Sequence, residues 1–169
     1  MKDGFKKNDV IFIAGANGMV GSAIARLIKS NSSNLVLTPT RQELDLSSTD
    51  EVFSWFKKYK PNIVINAAAK VGGILANSSY PVDFLLKNLR IQNNIIEASF
   101  KFDTNRLLFL GSSCIYPKNC KQPIREEYLM TSSLEPTNEF YALAKISGLK
   151  LCEAYRKQYG FDAIALMPT

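Results

Sequence analysis

One stretch constrains the fold more than any other: Val10-Ile-Phe-Ile-Ala-Gly15-Ala-Asn-Gly18-Met-Val-Gly21. Val10 to Ala14 are apolar and rich in β-branched types, which suits a strand buried on both faces. Three glycines follow at intervals of three. Ser22 to Lys29 then holds helix formers, with Ile24, Leu27 and Ile28 at i, i+3 and i+4 spacing. The order is strand, glycine loop, helix.

Each glycine has a physical reason in that order. Gly15 allows a sharp turn out of the strand, where a Cβ would be strained. Gly18 lets backbone approach a bound pyrophosphate, and Gly21 lets the helix pack close to the sheet. The first-turn N–H groups of the helix lack internal partners and carry the positive end of its dipole, so they suit a phosphate. A glycine triplet alone marks only a tight turn. Between this strand and this helix it marks a dinucleotide site of the Rossmann kind. The candidate cofactor contacts here are Gly15, Ala16, Asn17, Gly18, Met19, Val20 and Gly21.

A length of 169 residues suits one domain with a sizeable core. The composition, 46% hydrophobic and 21% charged, is that of an ordinary globular chain. No apolar run approaches a membrane span, and the polar start, Met1 to Asp9, shows no secretory signal. Three cysteines, Cys114, Cys120 and Cys152, lack C-x-x-C spacing and fit a reducing cytoplasm. There is no histidine, the commonest general base and zinc ligand, and no metal site is expected. The net charge of +6 comes from scattered lysines without a basic arm or an aromatic-interleaved patch. It favours an anionic substrate over nucleic acid.

Strands alternate with helices along the chain. Asn34–Thr38 reads as the second strand. It ends not on an acid for a ribose 2′-hydroxyl but on Pro-Thr-Arg41. Arg41 can bind a 2′-phosphate, which favours NADP(H) over NAD, or it is a solvated loop arginine. Asp45 is placed to cap a helix or to meet an adenine amino group, with Leu46 beside it. Thr49–Tyr59 is helical, its aromatics belonging to the core. Pro61–Asn66 is the third strand, delivering Ala67-Ala-Ala-Lys-Val-Gly-Gly73 at its carboxyl end, where ligands of parallel sheets gather. Pro81 opens a long helix to about Phe100. In it Asn88 either holds backbone groups in the sheet or is an exposed polar residue. Arg106–Gly111 is the fourth strand, followed by Ser112-Ser-Cys-Ile-Tyr-Pro117. A loop spans 117–136, a helix 138–159 and a last strand 161–167. The fold class is α/β, a Rossmann-type doubly wound parallel sheet, with residues 1–169 as one domain.

Tyr141-Ala-Leu-Ala-Lys145 puts a phenol and an ammonium on one helix face. An ammonium beside the phenol draws its pKa down, so the tyrosine can pass a proton to a substrate oxygen as hydride moves. Lys145 can also hold the nicotinamide ribose. Y-x-x-x-K alone is common on helix surfaces. With the glycine loop and with Ser112, whose hydroxyl can serve the same oxygen, it becomes a constellation. Leu110, Gly111, Ser112 and Ser113 at the end of the fourth strand, with Lys145 and Pro168, complete the candidate cofactor contacts.

The spacing G-x-x-G-x-x-G resembles the extended short-chain dehydrogenase/reductase superfamily. Ala68-Ala-Lys-Val-Gly-Gly-Ile74, Gly111-Ser-Ser-Cys-Ile-Tyr-Pro-Lys118, Glu135-Pro-Thr-Asn-Glu139 and Tyr141-Ala-Leu-Ala-Lys145 are similar to the GDP-L-fucose synthase family. That resemblance implies NADPH-dependent epimerisation at C-3 and C-5, then reduction at C-4, of GDP-4-keto-6-deoxy-D-mannose. It assigns Cys114 a base or acid role in epimerisation, and Ser112, Tyr141 and Lys145 the oxyanion and the reduction. Without it, Cys114 reads as a buried strand-end cysteine; Cys120 and Cys152 read as structural. Full members continue past Thr169 into a part bearing a histidine and the lysine, tryptophan and arginine that grip the GDP-sugar. The chain is therefore expected to be the cofactor-binding portion, with a homodimer possible through its helices. Competing expectations are a sugar-nucleotide 4-epimerase or 4,6-dehydratase, which Cys114 disfavours, and a non-catalytic dinucleotide-binding protein.

Overall fold

A computed structural model of the chain describes residues 5–168. Five parallel strands form one sheet in the order β2-β1-β3-β4-β5: β1 Val10–Ala14, β2 Leu35–Leu37, β3 Ile63–Asn66, β4 Arg106–Leu110 and β5 Ala163–Leu166. The helices are α1 Met19–Asn31, α2 Thr49–Tyr59, α3 Ile74–Ser79, α4 Pro81–Lys101 and α5 Glu139–Tyr159. The chain winds outward from β1 in both directions, so the doubly wound reading holds. Strand β1 has the bounds predicted for it; the other four predicted strands are longer than those observed by a residue or two at one or both ends, where extended backbone leaves the ladder.

Burial follows the period of two along each strand. Phe12, Ala14, Val64, Leu107, Phe109 and Ala163 face a large core with Val52 and Phe56 of α2, Ile95, Ile96 and Ala98 of α4, and Cys152 of α5. Ile11, Ile13 and Ile65 face a smaller one with Ala25 and Ile28 of α1. Phe12 meets Phe56 edge to face at 5.6 Å. Such pairs add to the area that each ring buries. The α2 aromatics are thus core, as expected, and Cys152 is buried among apolar neighbours.

Two local expectations need correcting. Helix α1 begins at Met19, not Ser22, and its buried residues are Gly21, Ala25 and Ile28. Leu27 is 62% exposed. The inward stripe therefore begins on a glycine, which a count of apolar side chains passes over. Helix α3 was not expected: it follows the Gly72-Gly73 pair, in a stretch to which the sequence reading assigned no element. The Asn77 amide supports it by donating to the Gly72 and Gly73 carbonyls at 2.9 and 3.1 Å.

Helix ends follow their chemistry. The Ser48 hydroxyl caps α2 at the Glu51 N–H, with Asp50 and Glu51 in the first turn and Lys57 and Lys58 in the last. Pro81 opens α4 and Gly160 closes α5 in the left-handed conformation at φ 69°. Phe56 has no exposed surface. Phe56→Ala is expected to cost about 3–5 kcal/mol, read as a fall in the urea midpoint with an unchanged slope.

Candidate functional site

The chain leaves β1 through Gly15, at φ 79°. A Cβ there would lie 2.7 Å from the Ala68 Cα and N, so the loop after β3 packs directly on glycine backbone. A Cβ at Gly21 would overlap the Gly15 carbonyl, so the first turn of α1 rests on the end of β1. Gly18 is the N-cap of α1; its N–H donates to the Gly15 carbonyl at 3.0 Å. No side chain caps this helix, and its first turn holds no acid.

Those N-terminal N–H groups face a cleft of about 660 Å³ at the carboxyl edge of the sheet. Its floor is Gly15 to Gly21; its walls are 39–41, 44–47 and 67–71, with Lys87 and Ile91 of α4. The structure brings Gly15, Ala16, Asn17, Gly18, Met19, Val20, Gly21, Arg41, Asp45 and Leu46 into this one space. Its volume suits part of a dinucleotide. An uncapped helix end and the cations Arg41, Lys70 and Lys87 suit its phosphates. Asp83 accepts from Lys70 Nζ at 2.7 Å and lies 3.6 Å from Lys87 Nζ. The residues therefore fit such a group.

Asp45 does not cap α2; Ser48 does. Instead its Oδ1 accepts from both the N–H and hydroxyl of Ser47, at 2.9 and 2.7 Å. Those bonds, chiefly, hold its carboxyl below the usual range, with Arg41 and Lys87 adding attraction. Asn88 is only 2% exposed and clamps the wall after β3. Its Oδ1 accepts from the Lys70 N–H at 2.7 Å, and its amide donates to the Lys70 and Phe84 carbonyls at 3.0 and 2.7 Å. Of its two expected roles, the backbone clamp is the one found, on the loop after β3.

The other candidates gather outside that cleft, beyond the end of β4. Leu110 ends the strand, and Gly111 is buried against Met167, near exposed Pro168. Ser112 starts a 3-10 turn, Ser113–Ile115, in which Ser113 faces solvent. The Ser112 Oγ and Cys114 Sγ are 3.0 Å apart. Lys145 is 4% exposed, and its ammonium donates to the Leu110 carbonyl at 2.8 Å.

The electrostatics reverse two expectations. The i, i+4 spacing predicts that Lys145 draws the Tyr141 phenol down. Burial and then Cys114 push it up to about 12, with Ser112 working against both. The ammonium is engaged elsewhere: besides the Leu110 carbonyl it stands 5.0 Å from the Phe109 ring centre and 5.9 Å from that of Tyr141. Burial draws Lys145 itself down to about 8, against the attraction of Cys114. A base role predicts a lowered Cys114 thiol. Burial pushes it up instead, with the Ser112 hydroxyl, the backbone and Lys145 acting in the opposite direction.

Residues 11–169 match the family described as NAD dependent epimerase/dehydratase. The chain belongs to that family. It is 57% identical over 159 residues to a GDP-L-fucose synthase of Sinorhizobium fredii, covering 94% of this chain and 50% of that protein. It is 54% identical over 163 residues to GDP-L-fucose synthase 1 of Arabidopsis thaliana, covering 96% and 50%. The backbone matches a Campylobacter jejuni GDP-mannoheptose C4 reductase solved with NADP bound, with a TM-score of 0.93 at 40% identity, over 97% of this chain and 48% of that one. The chain spans about half the length of the curated relatives it matches. The resemblance read from Gly111–Lys118 and Tyr141–Lys145 thus extends over nearly the whole chain.

Sequence reading passed over Lys87, Ser47, Gln92 and Asn94. Lys87 lines the cleft, Ser47 holds Asp45, and Asn94 donates to the Leu46 carbonyl at 3.0 Å. For Gln92 and Asn94 the available signal was a polar residue on the apolar side of α4, which marks burial without naming the partner.

Because the folded chain binds the Lys145 proton more weakly than the unfolded one, the unfolded state holds more protons between about pH 8 and the ordinary lysine range. Stability therefore rises with pH across that window. Between about pH 7 and about pH 10 the rise is expected to be steeper by up to about 3 kcal/mol than in Lys145→Met. Urea unfolding at each pH checks this.

Proposed function

We propose that the chain is the cofactor-binding and proton-transfer portion of an NADPH-dependent epimerase/reductase acting on GDP-4-keto-6-deoxy-D-mannose to give GDP-L-fucose. One observation carries the reading: the Ser112 hydroxyl and Cys114 thiol in contact at the end of β4, with Tyr141 and Lys145 of α5 beside them. The identity to GDP-L-fucose synthases supports the substrate. Residues 1–169 are read as one NADP-binding domain, and the three free cysteines support a reducing, cytoplasmic setting.

A nicotinamide cofactor, when bound, would supply the hydride for the C-4 ketone. The protein's part is to place and move protons. A phenol held up to about 12 stays protonated at neutral pH, so Tyr141 is a donor for the ketone oxygen as it gains negative charge. The Ser112 hydroxyl offers a second hydrogen bond to that oxygen. Lys145, still protonated below about pH 8, keeps positive charge next to the developing alkoxide.

Epimerisation needs one group to take a proton from carbon and another to return one on the opposite face. Cys114 is the first, its thiolate favoured by the Ser112 hydroxyl and the Lys145 ammonium against the cost of burial. On the family pattern the second is a histidine, and the chain contains none. The raised Cys114 thiol also favours a second reading, a C-4 reductase of GDP-sugars without epimerisation. The GDP-mannoheptose C4 reductase match is in keeping with it.

Arg41 is the group proposed for the 2′-phosphate. Arg41→Ala is expected to weaken NADPH binding by about 10- to 100-fold while barely changing NADH, read by fluorescence titration with each cofactor.

The function is tested by following NADPH absorbance with GDP-4-keto-6-deoxy-D-mannose in deuterated water. Turnover with deuterium at C-3 and C-5 is expected once the chain carries the family's histidine-bearing portion. Turnover without deuterium would select the plain reductase. NADPH binding without turnover would leave only the cofactor reading, and binding of neither cofactor would remove that too. Tyr141→Phe should slow reduction by about 10²–10⁴-fold. Cys114→Ser should abolish deuterium uptake while NADPH still binds.

A further inference from the structure

Helix α4 buries three side-chain amides, Asn88, Gln92 and Asn94, at 2%, 3% and 7% exposure. Buried side-chain amides are mostly hydrogen-bonded. Each of these reaches the backbone of a different segment. Asn88 grips Lys70 in the wall after β3. Asn94 grips the Leu46 carbonyl and accepts from the Thr49 hydroxyl at 2.9 Å. Gln92 donates to the Ala144 carbonyl of α5 at 2.6 Å.

Ala144 directly precedes Lys145 and lies three residues after Tyr141. One turn further on, a Cβ at Gly148 would come within 2.7 Å of Gln92 Oε1 and 2.6 Å of the Phe109 ring. So α5 presses onto Gln92 from α4 and onto Phe109 from β4, immediately beside the turn that carries both titratable groups. The same Phe109 ring lies under the Lys145 ammonium, which bonds to the next residue, Leu110. The turn is held from the strand by Phe109 and Leu110. From α4 it is held by one polar contact, that of Gln92.

We propose that Gln92 is a positioning residue, setting the height and rotation of the Tyr141–Lys145 turn against the end of β4 through the Ala144 carbonyl. This rests on the proposed function, in which that turn meets the substrate oxygen. A leucine or methionine would fill similar volume without burying an amide. What glutamine adds is direction, because its hydrogen bond fixes where along α4 the α5 turn stops. Small displacements of such groups are costly to rate, while the glycine floor of the cleft and Arg41 lie on other segments.

Two variants test this in the full chain, Gln92→Leu and Gln92→Glu. A buried carboxyl donates to the Ala144 carbonyl only while protonated, and burial favours that state. Gln92→Leu is expected to lower kcat for NADPH oxidation about 10- to 100-fold with the KM for NADPH unchanged. Gln92→Glu is expected to regain rate as pH falls below the range in which Lys145 titrates, where the rate of the unsubstituted protein is level. The Lys145 titration, followed by side-chain NMR, reads the turn without turnover. It should move away from about 8 in Gln92→Leu. An unchanged Lys145 titration, with kcat tracking only the folded fraction, would overturn the proposal. Rates are read with the histidine-bearing portion present; no turnover there would count against the proposed function, and the titration alone would then decide the role of Gln92. Should Gln92→Leu not fold, Gln92→Met gives the same titration reading.

Discussion

Backbone pressed on backbone at Gly15 is the contact on which the rest of the molecule depends. The loop after β3 touches it from one side, and the first turn of α1 from the other. No side chain fits in either gap. The spacing of β1, β3 and α1 is therefore set by main-chain atoms, whose positions do not adjust by rotamer. From β1 the chain goes to β2 on one side, then crosses to β3 on the other. The loops leaving those strands diverge, and the cleft opens between them. Because Gly21 lets α1 sit so close, the unpaired N–H groups of its first turn point into that opening.

The second half of the site has a different physical basis. Beyond β4 one cause, removal from water, moves two groups in opposite directions. It raises the Tyr141 phenol and lowers the Lys145 ammonium, because each is held back from its charged form. The phenol stays a proton donor throughout the neutral range, and the lysine comes close to giving up its proton there. An ammonium at 4% exposure survives because a carbonyl and an aromatic face receive it. Spending its hydrogen bond on Leu110 has a structural effect too: it fastens α5 to the very residue that precedes Gly111 and Ser112.

What was legible in the sequence was whatever rests on local pattern. Val10 to Ala14 announces a buried strand, Thr49 to Tyr59 an amphipathic helix, and the glycine spacing the loop between strand and helix. That Ser112 and Tyr141, distant in the chain, come together was legible too, since the motif encodes the fold that joins them. The direction of the Tyr141 and Cys114 shifts was not legible. Sequence spacing shows which charges are neighbours along a helix, not how much water reaches them or that Lys145 turns toward Leu110. The buried face of α1 was misread because its first inward residue, Gly21, has no side chain to count. Gln92 and Asn94 were passed over for a related reason: their partners, Ala144 and Leu46, lie 52 and 48 residues away, and no local period signals such pairs.

These long-range amide contacts explain how two parts built by different means stay in register. The glycine-floored cleft is fixed by backbone contacts and the Tyr141–Lys145 cluster by a buried ammonium. Neither fixes the other, since the two touch different strands. Helix α4 packs across both, and apolar packing alone tolerates sliding along a helix axis by small repacking moves. A hydrogen bond from a buried amide does not, because a displaced partner leaves a donor unpaired at a cost of about 1–3 kcal/mol. Asn88 and Asn94 bind the two walls of the cleft to α4, and Gln92 binds the α5 turn to it. One helix thus converts three separate contacts into a single alignment of the cleft with Tyr141 and Lys145.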